Sequence, residues 1–231
     1  IALIDILLGM QFTHVAGIVA ALLGFYASLL YILSILGKGI AFAPLRIYPL
    51  AARTKPNRIT WFIWTFVGGI TVSSYYASGA TDTIWVPAIL TGEYFITAVL
   101  AIWYGEGGWK QDRGQMKRDL SCLVGAAISA FAWWWYSVPE IALFATIAID
   151  LFGAYPTIVK AYKRPVTENR LAWTLTFLSS SANMLAVDWK WDISVVSIAA
   201  YPIYMFTANG LITLFLYLGI MRKNRFIRRG H

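Results

Sequence analysis

Charge is what this sequence has least of. Of its 231 residues 13% are Asp, Glu, Lys or Arg, against 59% that are hydrophobic. A soluble domain carries roughly a quarter charged and about half apolar, so an ordinary soluble domain is excluded. Cysteine is scarcer still. The single Cys122 rules out an intrachain disulfide and, set inside an apolar run, is expected to be a small buried hydrophobe. Two histidines, His14 and His231, are too few and too far apart in sequence to build an evident metal or haem cage; His14, on an apolar N-terminal segment, is left as the one candidate ligand to a haem or chlorophyll metal. The sequence also lacks a P-loop, a dinucleotide-binding glycine pattern, paired catalytic carboxylates, a zinc-binding His-Glu motif, and a lysine centred in the last apolar run as a retinal Schiff base requires. No enzymatic chemistry and no cofactor are expected.

What is present is long hydrophobic runs, at residues 3–23, 27–48, 59–78, 83–104, 120–137, 140–161, 170–187 and 194–220. A membrane helix takes about 20 mostly apolar residues, so the composition is that of an all-α, multi-pass membrane protein with short loops. No polar break separates residues 15–37, and this stretch holds either one helix or two joined near Gly24. The cations decide orientation. Arg46, Arg53, Lys55 and Arg58 follow the second run, Lys110, Arg113, Lys117 and Arg118 the fourth, Lys160, Lys163, Arg164 and Arg170 the sixth, and Arg222, Lys223, Arg225, Arg228 and Arg229 the last. The intervening loops hold only Lys190, with Asp82, Glu140, Asp188 and Asp192. Cytoplasmic loops collect Lys and Arg, so the basic loops and the C-terminus are expected to face the cytoplasm, across a cell (inner) membrane. The net charge of +8 is then a topology marker, and a nucleic-acid partner loses its support.

An internal repeat is the most informative pattern. Pro44, Asn57, Arg58 and Trp61 coincide with Pro156, Asn169, Arg170 and Trp173 at a constant offset of 112 residues. Farther on, Asp82, Tyr94 and Thr97-Ala98 match Asp192, Tyr204 and Thr207-Ala208 at an offset of 110. Three spans reverse the chain's side of the membrane, so parallel copies require an odd linker, which residues 120–137 supply. The expected architecture is two parallel three-helix repeats joined by a linker helix. Pro156 lies 16 residues beyond Glu140; the same register places the start of the first repeat near Ser28 and leaves an extra N-terminal helix. The expected division is an N-terminal helix at 1–26, a first repeat at 27–105, a basic loop and linker helix at 106–138, a second repeat at 139–221, and a basic tail at 222–231.

A proline near the end of the first repeat helix, then a basic loop and a polar-aromatic start such as Lys55-Pro56-Asn57-Arg58, resembles the PQ-loop superfamily, over roughly residues 28–220. The three-one-three layout is similar to its SWEET sugar transporters. The resemblance implies alternating access for a small polar solute such as a sugar. It departs at Leu45 and Thr157, where the motif glutamine would stand, and in the absence of prolines from 59–78 and 170–187. Asn209 matches the substrate-binding asparagine of the SWEET pattern, while its repeat mate is Val99.

The candidate site residues follow. Polar solutes such as sugars are held by aromatic faces flanked by amides and hydroxyls, here Trp61, Trp173, Tyr94, Tyr204, Asn183 and Asn209. Trp61 and Trp173 also begin their helices, where the ordinary role is an interfacial anchor, and the asparagines alternatively bond between packed helices. Pro44 and Pro156, each removing a backbone hydrogen bond, are candidate hinges or static kinks; Pro87 and Pro202 are expected to add kinks of their own. Lys38 and Asp150 each lie six residues before those first two prolines, and would form a buried pair if the two first helices face each other. Glu93 has no charged mate and is expected to line a cavity, bind a proton, or bond within a helix interface. The rival reading is a non-transporting accessory subunit of a larger, photosynthetic or respiratory, membrane complex, or a homo-oligomer in the lipid bilayer. A polar cavity near Asn183, Asn209 and Tyr94 fits transport; a core sealed by Phe95, Val99 and Leu178 fits the structural role.

Overall fold

The structure, a computed structural model, describes residues 2–37, 54–77, 84–107, 113–136, 139–187 and 193–229. These form seven α-helices: α1 Ala2–Ile35, α2 Arg58–Ala77, α3 Trp85–Tyr104, α4 Arg113–Tyr136, α5 Pro139–Lys163, α6 Arg170–Leu185 and α7 Ile193–Arg229. A single 3-10 turn, Pro165–Thr167, precedes α6. Four stretches, Phe12–Ile35, Trp85–Tyr104, Phe144–Lys163 and Ala199–Asn224, are long and apolar enough to cross a membrane. The chain is a multi-pass helical membrane protein.

Its polarity is arranged accordingly. Leu22, Phe25, Phe66, Trp103, Trp134, Trp135 and Leu214 point outward, while Thr60, Glu93, Thr97, Asp150, Asn183 and Asn209 are buried. Lipid provides no hydrogen bonds, so polar side chains are cheapest when they face one another. Half-buried hydroxyls close onto the preceding turn: Thr65 Oγ1 donates to Trp61 O at 2.8 Å and Ser181 Oγ to Phe177 O at 2.8 Å.

Six of the helices form a closed ring. Going round it, α1 packs on α6, α6 on α7, α7 on α5, α5 on α2, α2 on α3, and α3 back on α1. Helix α4 lies outside, chiefly against α5. Among the described residues the backbone of α1 does not approach that of α2 or α5, nor does that of α5 approach α6, although the Tyr31 and Trp61 rings bring α1 and α2 together at a centroid distance of 5.0 Å. The first helices, α1 and α5, thus stand opposite one another across the ring without close backbone approach; Lys38 lies outside the described residues, and the expected Lys38–Asp150 pair with it.

The first helix also differs from expectation. α1 runs unbroken from Ala2 to Ile35 through the boundary expected at residue 26, and no separate N-terminal helix precedes the ring. Gly24 does not turn the chain. It is buried against α6, where an added Cβ would stand 3.0 Å from Ser179 Oγ, and its lack of a side chain permits close helix approach. The helix ends at Ile35, followed by Gly37 at φ 69°, a left-handed residue of the kind that stops helices. Pro44 thus falls beyond α1 and outside the described residues, whereas Pro156 sits inside α5. Pro202 is likewise inside α7. Pro87 is in the first turn of α3, where no intrahelical N–H bond is lost, so the kink expected there has no cause.

The starts of α2 and α6 are built alike. Asn57 Oδ1 accepts from Thr60 N at 3.1 Å, and Asn169 Oδ1 accepts from Ala172 N at 3.0 Å. Each is an N-cap satisfying an amide that the first turn leaves open. Arg58 then reaches the far end of α3, donating from Nε to Ala101 O at 2.8 Å and from NH1 to Gly107 O at 2.8 Å. That fastens the α2 start to the α3 terminus.

Candidate functional site

The ring of helices holds a tightly filled aromatic pocket, partly open to solvent, with a cavity of about 10 Å³. Tyr31 of α1, Trp61 and Trp64 of α2, Leu90, Glu93 and Tyr94 of α3, Trp173 and Thr176 of α6, and Asn209 of α7 line it. Both tryptophans that begin their helices are buried, Trp61 at 2% and Trp173 at 4% exposure. Their role as interfacial anchors is therefore corrected. The asparagine caps set α2 and α6 in the same phase, and the fourth residue after each cap turns inward.

The rings brace one another edge to face. Centroids are 5.1 Å apart for Trp61–Trp64, 5.7 Å for Trp61–Tyr94, 6.2 Å for Trp64–Trp173 and 5.8 Å for Tyr31–Trp173. Such pairs are favourable beyond their burial because positive ring edges meet negative faces. Phe95, Val99 and Leu178 are exposed on the outside of the ring and do not seal its centre.

The polar groups sit between these rings. Ser28 Oγ donates to Glu93 Oε2 at 2.6 Å, joining α1 to α3. Asn209 Nδ2 donates to Ser180 Oγ at 2.8 Å, joining α7 to α6. Asp150 is buried, with Tyr204 as its electrostatic neighbour, and its backbone carbonyl accepts from Trp64 Nε1 at 3.1 Å. Trp61 Nε1 and Asn183 Oδ1 are buried without a hydrogen-bond partner. Trp61, Trp173, Tyr94 and Asn209 thus converge on the pocket; Asn183 and Asp150 are buried and Tyr204 half-buried, and none of the three lines it. His14 is exposed on α1, and no group of three His, Cys, Asp or Glu that could hold a metal occurs among the described residues.

At the end of the ring where the 54–57 and 164–169 segments meet, a buried ion-pair cluster bonds to two of the pocket's lining residues, Tyr31 and Trp173. Lys160 Nζ contacts Glu168 Oε1 at 2.5 Å and Glu106 Oε1 at 3.6 Å and donates to the carbonyl of Lys55. Glu168 Oε2 accepts from Trp173 Nε1 at 2.8 Å and Tyr31 OH at 3.1 Å. Arg164 meets Glu106 at 2.9 Å on the outside. Glu168 thus ties α5, α1 and α6 together directly above the aromatic rings.

Sequence reasoning missed this cluster and Tyr31. Lys160 was one cation among many on a basic segment. The available signal was negative charge out of place: Glu106 and Glu168 stand within the very loops that collect cations. Searches of protein-family models, of curated proteins and of solved structures find no match to this chain.

Proposed function

We propose that the protein is a SWEET-like or PQ-loop-like transporter that moves a small polar solute by alternating access, with the aromatic pocket as its solute site. The observation that carries this reading is the pocket: aromatic faces, one carboxylate and an amide gathered between helices at membrane depth, where a merely structural core would be filled by aliphatic side chains.

The arrangement of helices supports a three-one-three repeat. In α1 to α3 and again in α5 to α7, the third helix packs on both the first and the second, while the backbones of the first and second stay apart. The cross contacts are also mates: α1 with α6, and α2 with α5. Two such bundles meeting around a central site are the geometry in which transporters rock. The Lys160–Glu168 cluster then serves as the closed gate on the basic side, the side expected to be cytoplasmic with the C-terminus.

Uptake by the purified chain in proteoliposomes tests the proposal. A panel of labelled small polar solutes should include at least one that enters above empty liposomes, and Trp173→Ala should abolish that uptake. Absence of flux for every solute, together with stoichiometric co-purification with a large membrane complex, would establish the accessory-subunit reading. The outward face of α4, with Ile128, Phe131, Trp134 and Trp135 exposed, is where such a partner would sit.

A further inference from the structure

We infer that the solute held in this pocket is a small organic cation, an ammonium recognised by aromatic faces around Glu93; the inference rests on the transport reading and specifies its substrate class. Five aromatic side chains line the pocket, from Tyr31, Trp61, Trp64, Tyr94 and Trp173. Each ring presents negative faces and a positive edge. The charged group among the lining residues is Glu93, and no Lys or Arg is there to balance it. Its carboxyl receives one hydrogen bond, from Ser28, and no ion-pair partner for it occurs among the described residues. Asp150 adds a second acid behind Tyr94 and Trp64. The nearest buried cation, Lys160, is already held by Glu168, Glu106 and a carbonyl.

A carboxylate among aromatic faces and away from water is costly for the empty protein and favourable once a cation arrives. A neutral sugar would stack and hydrogen-bond here, yet leave that carboxylate without a counter-charge. An ammonium satisfies both features at once, through the ring quadrupoles and through Coulomb attraction in a dry site. The free Trp61 N–H offers a donor to an oxygen elsewhere on the same solute. The cavity left between the rings is only about 10 Å³, room for roughly one water, so the solute is a small one around a single charged nitrogen that enters as the rings part.

Tryptophan fluorescence of the purified full chain, titrated with choline and with dimethylbutanol, its uncharged isostere in which carbon replaces nitrogen, tests this directly. Choline should quench saturably and bind at least about tenfold more tightly than the isostere, and Glu93→Gln should erase the preference without lowering the unfolding midpoint. Equal binding of the two by the natural protein overturns the inference, and that comparison decides the matter alone where Glu93→Gln does not fold. If glucose binds and enters proteoliposomes while choline does neither, the cation assignment falls and the transport reading stands; if no solute of either kind binds or enters, both fall.

Discussion

Lys160→Met is expected to lower the unfolding free energy by about 3–5 kcal/mol, the usual cost of leaving one member of a buried ion pair unpaired. The side chains of Lys160 and Glu168 are 2% and 1% exposed, so little water is at hand to replace the lost charge. With Lys160 gone, Glu168 keeps donors from Tyr31 and Trp173 but loses its cation, and the Lys55 carbonyl loses its donor. The double variant Lys160→Met/Glu168→Gln should recover at least about half of the loss, because a neutral amide oxygen still accepts from Tyr31 and Trp173 while the unpaired charge disappears. Denaturant or thermal unfolding in detergent measures both. Equal destabilisation by the single and double variants would show that the Lys–Glu interaction contributes nothing specific.

Gly219→Ala is expected to cost about 3 kcal/mol, at the upper end of what overpacking one methyl does. The added Cβ would stand 2.5 Å from the Tyr162 carbonyl oxygen and 2.9 Å from that of Ala161. Both are backbone atoms of α5 that no rotamer change can move, so α5 and α7 must separate. Gly69→Ala supplies the contrast: nothing lies within 4 Å of its Cβ position, and the exchange should be neutral or stabilise α2 by up to about 1 kcal/mol through helix propensity. Unfolding midpoints of the two variants measured side by side give the answer. Similar shifts in both would mean that glycine itself, and not close packing, is what α7 needs at that position.

How much of this was legible depends on where the determining contacts lie in sequence. The starts of α2 and α6 were legible because an N-cap and the residues it phases sit within one turn: Asn57 and Asn169 announce themselves, and Trp61 and Trp173 follow at fixed spacing. The membrane character was legible because apolar content accumulates over whole runs. The first helix was not. Its run has no polar break, and whether Gly24 turns the chain or lets α6 approach depends on Ser179, more than a hundred residues away. The proline register failed for a related reason, since equivalence of Pro44 with Pro156 in sequence does not oblige the two first helices to end at equivalent points. The closing cluster was least legible. Whether Lys160 is a solvated loop cation or a buried lock is decided by Glu168 and Glu106, and by the Tyr31 hydroxyl that reaches Glu168 across the ring.

Thiol labelling tests the central claim that the pocket is a solute site reached in turn from the two faces of the membrane. Cys122 is the chain's one cysteine, so Cys122→Ala gives a clean background into which Thr176→Cys places a thiol at the pocket wall. A charged, membrane-impermeant thiol reagent is then applied to sealed vesicles of each orientation. Labelling is expected from both faces, each slowed by bound solute. Labelling from neither face, or from one face alone, would contradict the claim.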